Sequence, residues 1–427
     1  MFKTLHPNVR IRIYTSFLSR IVGSAVFPFM AIYFTNHINA YVAGILVLIQ
    51  VTVQFLIGLY GGYLADIIGR KRLMVAGEIM KVVAFTGMLI ANSPLLESPW
   101  IMFAMLLITG ASSGLINPAA EAMLIDVSTK ETRAFMYSIN YWAINMSLMI
   151  GLIVGGWLFE EYLFELLAVL IIISLITLWM TVVLIKETHR TIEQQGKQDY
   201  GIKPLLKSYQ IVIKDWSFIA FVIGGVAMLA IEFQRNNYIA VRLEQEIIPR
   251  TLNFFQLFSF QLDGVKLLSL LTIANTLMII FFTTAITKWI KDKNERTIMY
   301  IGFVLFGVGY AYLAFSNNIA AMFGAIIVLS IGELMYVPTR QSLLADIVDD
   351  SRRGSYMAFN NLVFQLGKMF GALGLIVGNI VGGVWMAAGY LILVVIAILF
   401  SRISIKLYTL KNEENKIMPV FPSEGGD

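Results

Sequence analysis

The chain has 427 residues, of which 58% are hydrophobic and 14% charged, with 32 Lys and Arg against 27 Asp and Glu for a net charge of +5 and no cysteine. So apolar a composition points to an integral membrane protein, and the lack of cysteine excludes disulfides, thiol catalysis and cysteine metal sites. The positive excess needs no nucleic acid, because short loops between apolar runs carry it.

Apolar runs close to the ~20 residues that cross a bilayer fall in chain order at about 11–34, 42–63, 73–92, 99–124, 135–158 and 163–186. A second set falls at about 216–242, 264–288, 297–317, 319–346, 355–378 and 383–407. The fold expected is all-α, with twelve transmembrane helices. The first run, from Ile11 towards Phe34, is too long for the core of a cleavable signal. His6, His37 and His189 lie outside the runs and apart from one another, which argues against a membrane metal centre.

The loops alternate in charge. Arg70 to Arg72, Lys130 with Arg133, Lys186 through Lys214, Lys288 to Arg296, and Arg352 with Arg353 are basic. The loops around 35–41, 93–98, 159–162 and 378–382 hold no Lys or Arg, and the segment 243–263 sets Arg250 beside Glu244 and Glu246. The positive-inside rule then places both termini in the cytoplasm of a cell whose plasma membrane the chain crosses many times. The polar stretch between the sixth and seventh runs reads as a linker over 191–214, joining halves at 1–190 and 215–410, and its basic residues suit anionic lipid headgroups. The tail over 411–427 reads as disordered.

The halves repeat one another. Pro118, Asp126 and Arg133 recur as Pro338, Asp346 and Arg353, each shifted by 220 positions, and Asn140 and Gly151 recur as Asn360 and Gly371. Duplicated halves in a hydrophobic chain are the signature of a secondary transporter whose site lies between the repeats.

Between the second and third runs stands Gly62-Tyr63-Leu64-Ala65-Asp66-Ile67-Ile68-Gly69-Arg70-Lys71-Arg72. The glycines permit a tight turn, and Asp66 is suited to receive hydrogen bonds from helix N-termini or arginines. This stretch resembles the signature loop of the major facilitator superfamily. In the fifth run, Gly151-Leu152-Ile153-Val154-Gly155-Gly156 resembles the second half of the antiporter motif of drug/proton exporters, with Leu152 in place of proline; small residues there allow close helix approach that seals one side of a pathway. Asn140-Tyr141-Trp142-Ala143, Gly332-Glu333 with Pro338, and Arg353-Gly354-Ser355-Tyr356 extend the resemblance over about residues 8–405, nearest to the multidrug exporters typified by the lactococcal transporter LmrP and the MdtH proteins. It implies the superfamily fold of two pseudo-symmetric six-helix halves, a bacterial plasma membrane, no enzymatic activity, no cofactor, a monomer, and protons exchanged for an amphiphilic cargo. It also implies gating by Gly62, Asp66, Gly69, Arg70, Asp126, Arg133, Asp346 and Arg353. The lactococcal type has acidic residues where this chain has Asn140 and, close by in the seventh run, Asn236.

Charges inside the runs are costly, at roughly 2.5–3.5 kcal/mol each on insertion scales. Glu333, mid-run with no neighbour to neutralise it, is the first proton carrier expected, and Glu232, with Arg235 one turn away, is the second. Arg20, Arg235 and Arg340 are placed to meet these carboxylates or an anionic cargo, Lys368 is a further basic candidate, and Glu78, Lys81 and Glu121 are expected to snorkel to the cytoplasmic ends. Asn140, Tyr141, Trp142 and Asn236 complete the expected cargo contacts.

The function expected is proton-coupled export of lipophilic or amphiphilic drugs, and hence antibiotic resistance. The alternative is a dedicated exporter of an anionic or zwitterionic metabolite, siderophore or lipid; a non-transporting sensor, a scaffold or a membrane enzyme has no supporting motif.

Overall fold

The computed structural model describes residues 5–94, 96–127, 130–188, 210, 212–254, 258–290, 293–348 and 353–417. Twelve helical segments cross the molecule: α1 (Pro7–His37), α2 (Ala40–Ile68), α3 (Arg70–Ala91), α4 (Pro99–Val127), α5 (Lys130–Leu158) and α6 (Leu163–Leu184), then α7 (Trp216–Glu246), α8 (Gly264–Ile290), α9 (Glu295–Leu313), α10 (Ile319–Ile347), α11 (Arg353–Val381) and α12 (Gly383–Ile417). Among the described residues, eleven are long and apolar enough to span a membrane, and α5 adds the shorter apolar stretch Ala143–Leu158.

Polar residues start the helices where the pattern turns apolar. Asn39, Asp215, Asn294 and Asn318 accept hydrogen bonds from backbone N–H groups of the first turns of α2, α7, α9 and α10. Between α2 and α3 there is almost no loop: Gly69 alone reverses the chain at φ 101°, a conformation glycine adopts without strain. Short hairpins, β1 (Asn92–Ser93) with β2 (Leu96–Glu97) and β3 (Arg250–Phe254) with β4 (Phe258–Leu262), mark one face of the molecule. The opposite face carries the basic loops.

The repeat seen in sequence is a repeat of packing. α1 packs on α5 as α7 packs on α11, α2 on α4 as α8 on α10, and α3 on α6 as α9 on α12. Gly151 of α5 lies against Ile21 and Ser24 of α1, and its counterpart Gly371 of α11 lies against Phe233 and Asn237 of α7, each without room for a side chain. Pro118 and Pro338 sit inside the matching helices α4 and α10. In lipid, such close backbone approach replaces the hydrophobic drive that packs soluble helices.

The first helix of each half is broken near its middle. α1 tightens into a 3-10 turn over Phe27–Phe29 around Pro28, and α7 widens into a π turn over Arg235–Ile239. One expectation is corrected. α12 continues to Ile417, into the tail expected to be disordered, because Lys411 through Ile417 contains no Gly or Pro to stop it. The segment after α7 forms the β3–β4 hairpin, which the charge pattern of the sequence did not indicate. The linker over 191–209 lies outside the described residues.

Candidate functional site

The halves meet along α2 with α11 and along α5 with α8, and these contacts lie towards the hairpin face. Gly44 of α2 sits where a Cβ would be 2.5 Å from Ile376, and Gly156 of α5 where one would be 2.6 Å from the Cβ of Ser269. The small-residue run of α5 therefore divides its work: Gly151 and Gly155 pack on α1 inside the half, and Gly156 packs across to the other half. Glu161 after α5 is 3.7 Å from Lys266 of α8, which also pairs with Asp263 at 2.7 Å. Glu160 shares a side-chain hydrogen bond with Glu244 of α7. A leucine at Gly156 would wedge α8 from α5, so Gly156→Leu should open the hairpin face and raise the rate at which a cysteine placed at Val265 reacts with an impermeant maleimide. An unchanged rate would deny the contact a sealing role.

The Glu160–Glu244 contact makes that seal pH-dependent. Partial desolvation first, and the facing Asp263 second, push the Glu160 pKa above its ordinary value, with the Glu244 hydrogen bond and Lys266 opposing the effect and Glu161 adding to it. A carboxyl whose pKa is raised in the closed arrangement holds its proton more tightly there. The seal is thus complete below the usual carboxylate range and loosens as pH rises through the raised value. Maleimide reactivity at a Val265 cysteine should climb with pH on that face, and Glu160→Gln should flatten the profile.

On the basic face, helices of the same half are tied together. Glu187, after α6, accepts hydrogen bonds from the backbone N–H of Arg70 at 3.1 Å and of Lys71 at 3.0 Å, capping α3 where its dipole favours an anion. Arg70 pairs with Asp126 at the end of α4, which also accepts from Thr188 at 3.1 Å. Gly62 approaches Pro118, and Gly69 approaches Glu187. Glu187 thus caps the start of α3, a task of the kind expected of Asp66. The side chains of Asp66, Arg133 and Arg353 lie outside the described residues, and Asp346 is exposed. In the second half Asp215 accepts from the Tyr356 hydroxyl at 2.9 Å and pairs with Lys411 at 3.4 Å.

Between the halves lies a cavity of about 530 Å³. Its wall runs from Ala31 and Val47, near mid-membrane, to Arg12 near the basic-face start of α1. Arg20 and Asn236, both singled out in the sequence, line it, as do Arg12, Lys81, Lys368 and a set of amides including Gln50, Gln54, Asn117 and Gln365. No aspartate or glutamate is among the described lining residues. Lys81 and Glu78 do not snorkel: both are buried, paired at 2.5 Å, and held by Ser19 at 2.9 Å and by Thr177, whose hydroxyl donates to Glu78 at 2.7 Å. Snorkelling fails here because α3 faces neighbouring helices at this depth rather than lipid.

The second half buries a polar cluster behind the Phe233–Asn237 part of the cavity wall. Asn275 of α8, which the sequence did not single out, is its hub. Its Nδ2 donates to Glu333 at 3.1 Å and to Ser330 at 2.9 Å, and its Oδ1 accepts from Arg235 at 2.9 Å. Glu232, Glu333 and Arg235 are near enough for their charges to act on one another, with the Tyr310 and Tyr336 hydroxyls in the same environment. Of these groups Arg235 lies in the π turn Arg235–Ile239, a kind of turn frequent at functional sites.

Not every expected cargo contact reaches the cavity. Arg235 belongs to the polar cluster. Arg340 turns to α7, donating to the Phe221 carbonyl at 3.2 Å with its guanidinium 4.5 Å from the Phe221 ring, so it does not answer Glu333. Asn140 lies in α5 outside the lining, and the side chains of Tyr141 and Trp142 lie outside the described residues.

A family model described as Major Facilitator Superfamily matches residues 13–293 and 251–417. The chain is 29% identical over 377 residues to a protein of Planococcus maritimus named "Na(+), Li(+), K(+)/H(+) antiporter", covering 86% of this chain and 88% of that one. It is 24% identical over 368 residues to the "Multidrug resistance protein MdtH" of Edwardsiella ictaluri, covering 84% and 82%. Among solved structures, a POT family transporter in complex with 5-aminolevulinic acid superposes with a TM-score of 0.72 at 15% identity over 95% of this chain and 99% of that one, and the nucleoside transporter NupG with a TM-score of 0.68 at 14% identity over 94% and 100%.

Proposed function

The chain belongs to the Major Facilitator Superfamily, and on that premise we propose that it is a proton-coupled antiporter exporting amphiphilic organic compounds by alternating access. The observation that carries this reading is the half-buried Glu232–Arg235–Glu333 cluster beside the cavity. Two carboxylates act on one guanidinium, so the group carries a net negative charge, which a proton removes. The positive-inside pattern supports a cytoplasmic basic face. The cavity then faces the cytoplasm while α2–α11 and α5–α8 close the outside, the loading state of an exporter. Opening to the outside would rehydrate the cluster and let it exchange protons with the medium. The MdtH relative's name agrees with an organic cargo.

A second reading is exchange of protons for a monovalent cation. It is favoured by the same cluster, whose carboxylates and Ser330 hydroxyl form an oxygen set that a small cation can occupy in place of a proton, and by the name of the Planococcus maritimus relative. Inside-out vesicles with a respiration-driven pH gradient separate the two. Export of organic compounds predicts that amphiphiles, and not NaCl, LiCl or KCl, dissipate the gradient. Dissipation by the salts alone would replace the first reading by the second.

A further inference from the structure

The cavity wall carries four cationic side chains, Arg12, Arg20, Lys81 and Lys368, and its described lining contains no carboxylate. Behind the wall, Glu78 answers Lys81 at 2.5 Å, and Glu121 is the carboxylate whose charge reaches Arg20 and Arg12. Lys368, on α11, has no such answer among the described residues. Its ammonium stands 4.9 Å from the Phe364 ring, and the charge that acts on it is that of Arg20, from the other half. Two like charges therefore line the cleft from opposite halves, near enough to act on one another. Such an arrangement costs free energy unless something negative comes between them.

From this we infer that the cavity selects an organic anion or zwitterion, whose acidic group is held between Arg20 and Lys368. The proposal rests on the export reading and names the charge of its cargo. Arg20 supplies a planar fork suited to a carboxylate, phosphate or sulfonate, and Lys368 a point charge. Phe27, Phe85 and Phe233 in the same wall provide apolar surface for the body of the molecule. The anion would also act on the conformational equilibrium. In its absence Arg20 and Lys368 push the halves apart at the cleft; with it they attract one shared centre, which favours closure around the cargo. A ligand that bound without this differential contact would not drive occlusion.

The test uses two probes with one apolar body and opposite charge, 2-naphthylacetate and (2-naphthylmethyl)trimethylammonium, titrated onto the purified full-length protein. The anion is expected to bind at least about tenfold more tightly, the equivalent of roughly 1.4 kcal/mol. Arg20→Gln and Lys368→Gln should each erase that preference by weakening the anion while leaving the cation unchanged or tighter, and Lys368→Arg should keep it. Equal binding of the two probes by the wild type, or preference for the cation, overturns the proposal. So does an equal loss of both probes in Lys368→Gln at unchanged thermal stability. Repeating the titration with and without phosphatidylglycerol tells a soluble anion from a lipid headgroup: competition assigns the site to the headgroup, none to the soluble compound, and both keep the anionic class. Gradient-driven transport is scored separately. Anion binding without proton-coupled transport would remove the export reading and leave the site, whereas proton-coupled transport of the cation that ignores Lys368→Gln would remove the site and leave the export reading.

Discussion

Glu333→Gln is expected to abolish cargo movement driven by a pH gradient while leaving gradient-free exchange of cargo intact. The amide keeps the shape of a protonated carboxyl and can still meet the Asn275 side chain, now 3.1 Å from the glutamate, but it can neither release nor take up a proton. The cluster would then be fixed in the state in which Arg235 faces a single carboxylate, that of Glu232. Loss of a proton-transfer group costs roughly 10²–10⁴-fold where transfer limits the rate, so uptake into inside-out vesicles should fall by about two orders of magnitude or more. Counterflow exchange should persist. Glu232→Gln separates the two carboxylates: if Glu232 mainly balances Arg235, its loss damages folding or binding before coupling. Full gradient-driven transport by Glu333→Gln would move the coupling role to Glu232.

The second large effect is on stability. Lys81→Met should destabilise the first half by about 3–5 kcal/mol, because it leaves the Glu78 carboxylate buried without a counter-charge. Glu78 is 1% exposed and one of its oxygens already lacks a partner, so water has no ready path to it. The double variant Lys81→Met with Glu78→Gln should recover most of the loss, since a neutral amide can still accept from Thr177. Thermal unfolding of the detergent-purified variants reads both effects. Single and double variants of equal stability would mean that the pair is solvated and not a structural element of α3.

The architecture was legible because its signals are long and redundant. Twelve apolar runs, alternating basic loops and the 220-residue offset each report the same two halves, and Gly151 and Gly371 show the offset surviving as equivalent packing on α1 and α7. Arg20, Glu232, Glu333 and Lys368 stood out because any charge in an apolar run does, whereas Arg12, at the very start of its run, did not. Their partners were less visible. Asn275 is an ordinary amide in a long helix, and only the packing of α8 on α10 brings it to Glu333 and Ser330. Glu187 caps α3 from 116 residues away, a distance across which a sequence pattern carries no signal. Arg340 was placed with Glu333 by helical spacing, yet a residue seven positions on is two turns away, and the aromatic face of Phe221 together with its carbonyl attracts it instead. Lys81 was assigned to the membrane surface by its position in the run, which says nothing about the helices that cover it.

Proton flux itself tests the central claim most directly. In proteoliposomes loaded with a pH-sensitive dye and free of other ion gradients, an imposed cargo gradient should drive protons in the opposite direction, and the flux should vanish in the double variant Glu232→Gln with Glu333→Gln while the variant still binds cargo. Cargo movement with no proton flux in the wild type, or an undiminished flux in the double variant, would contradict the account.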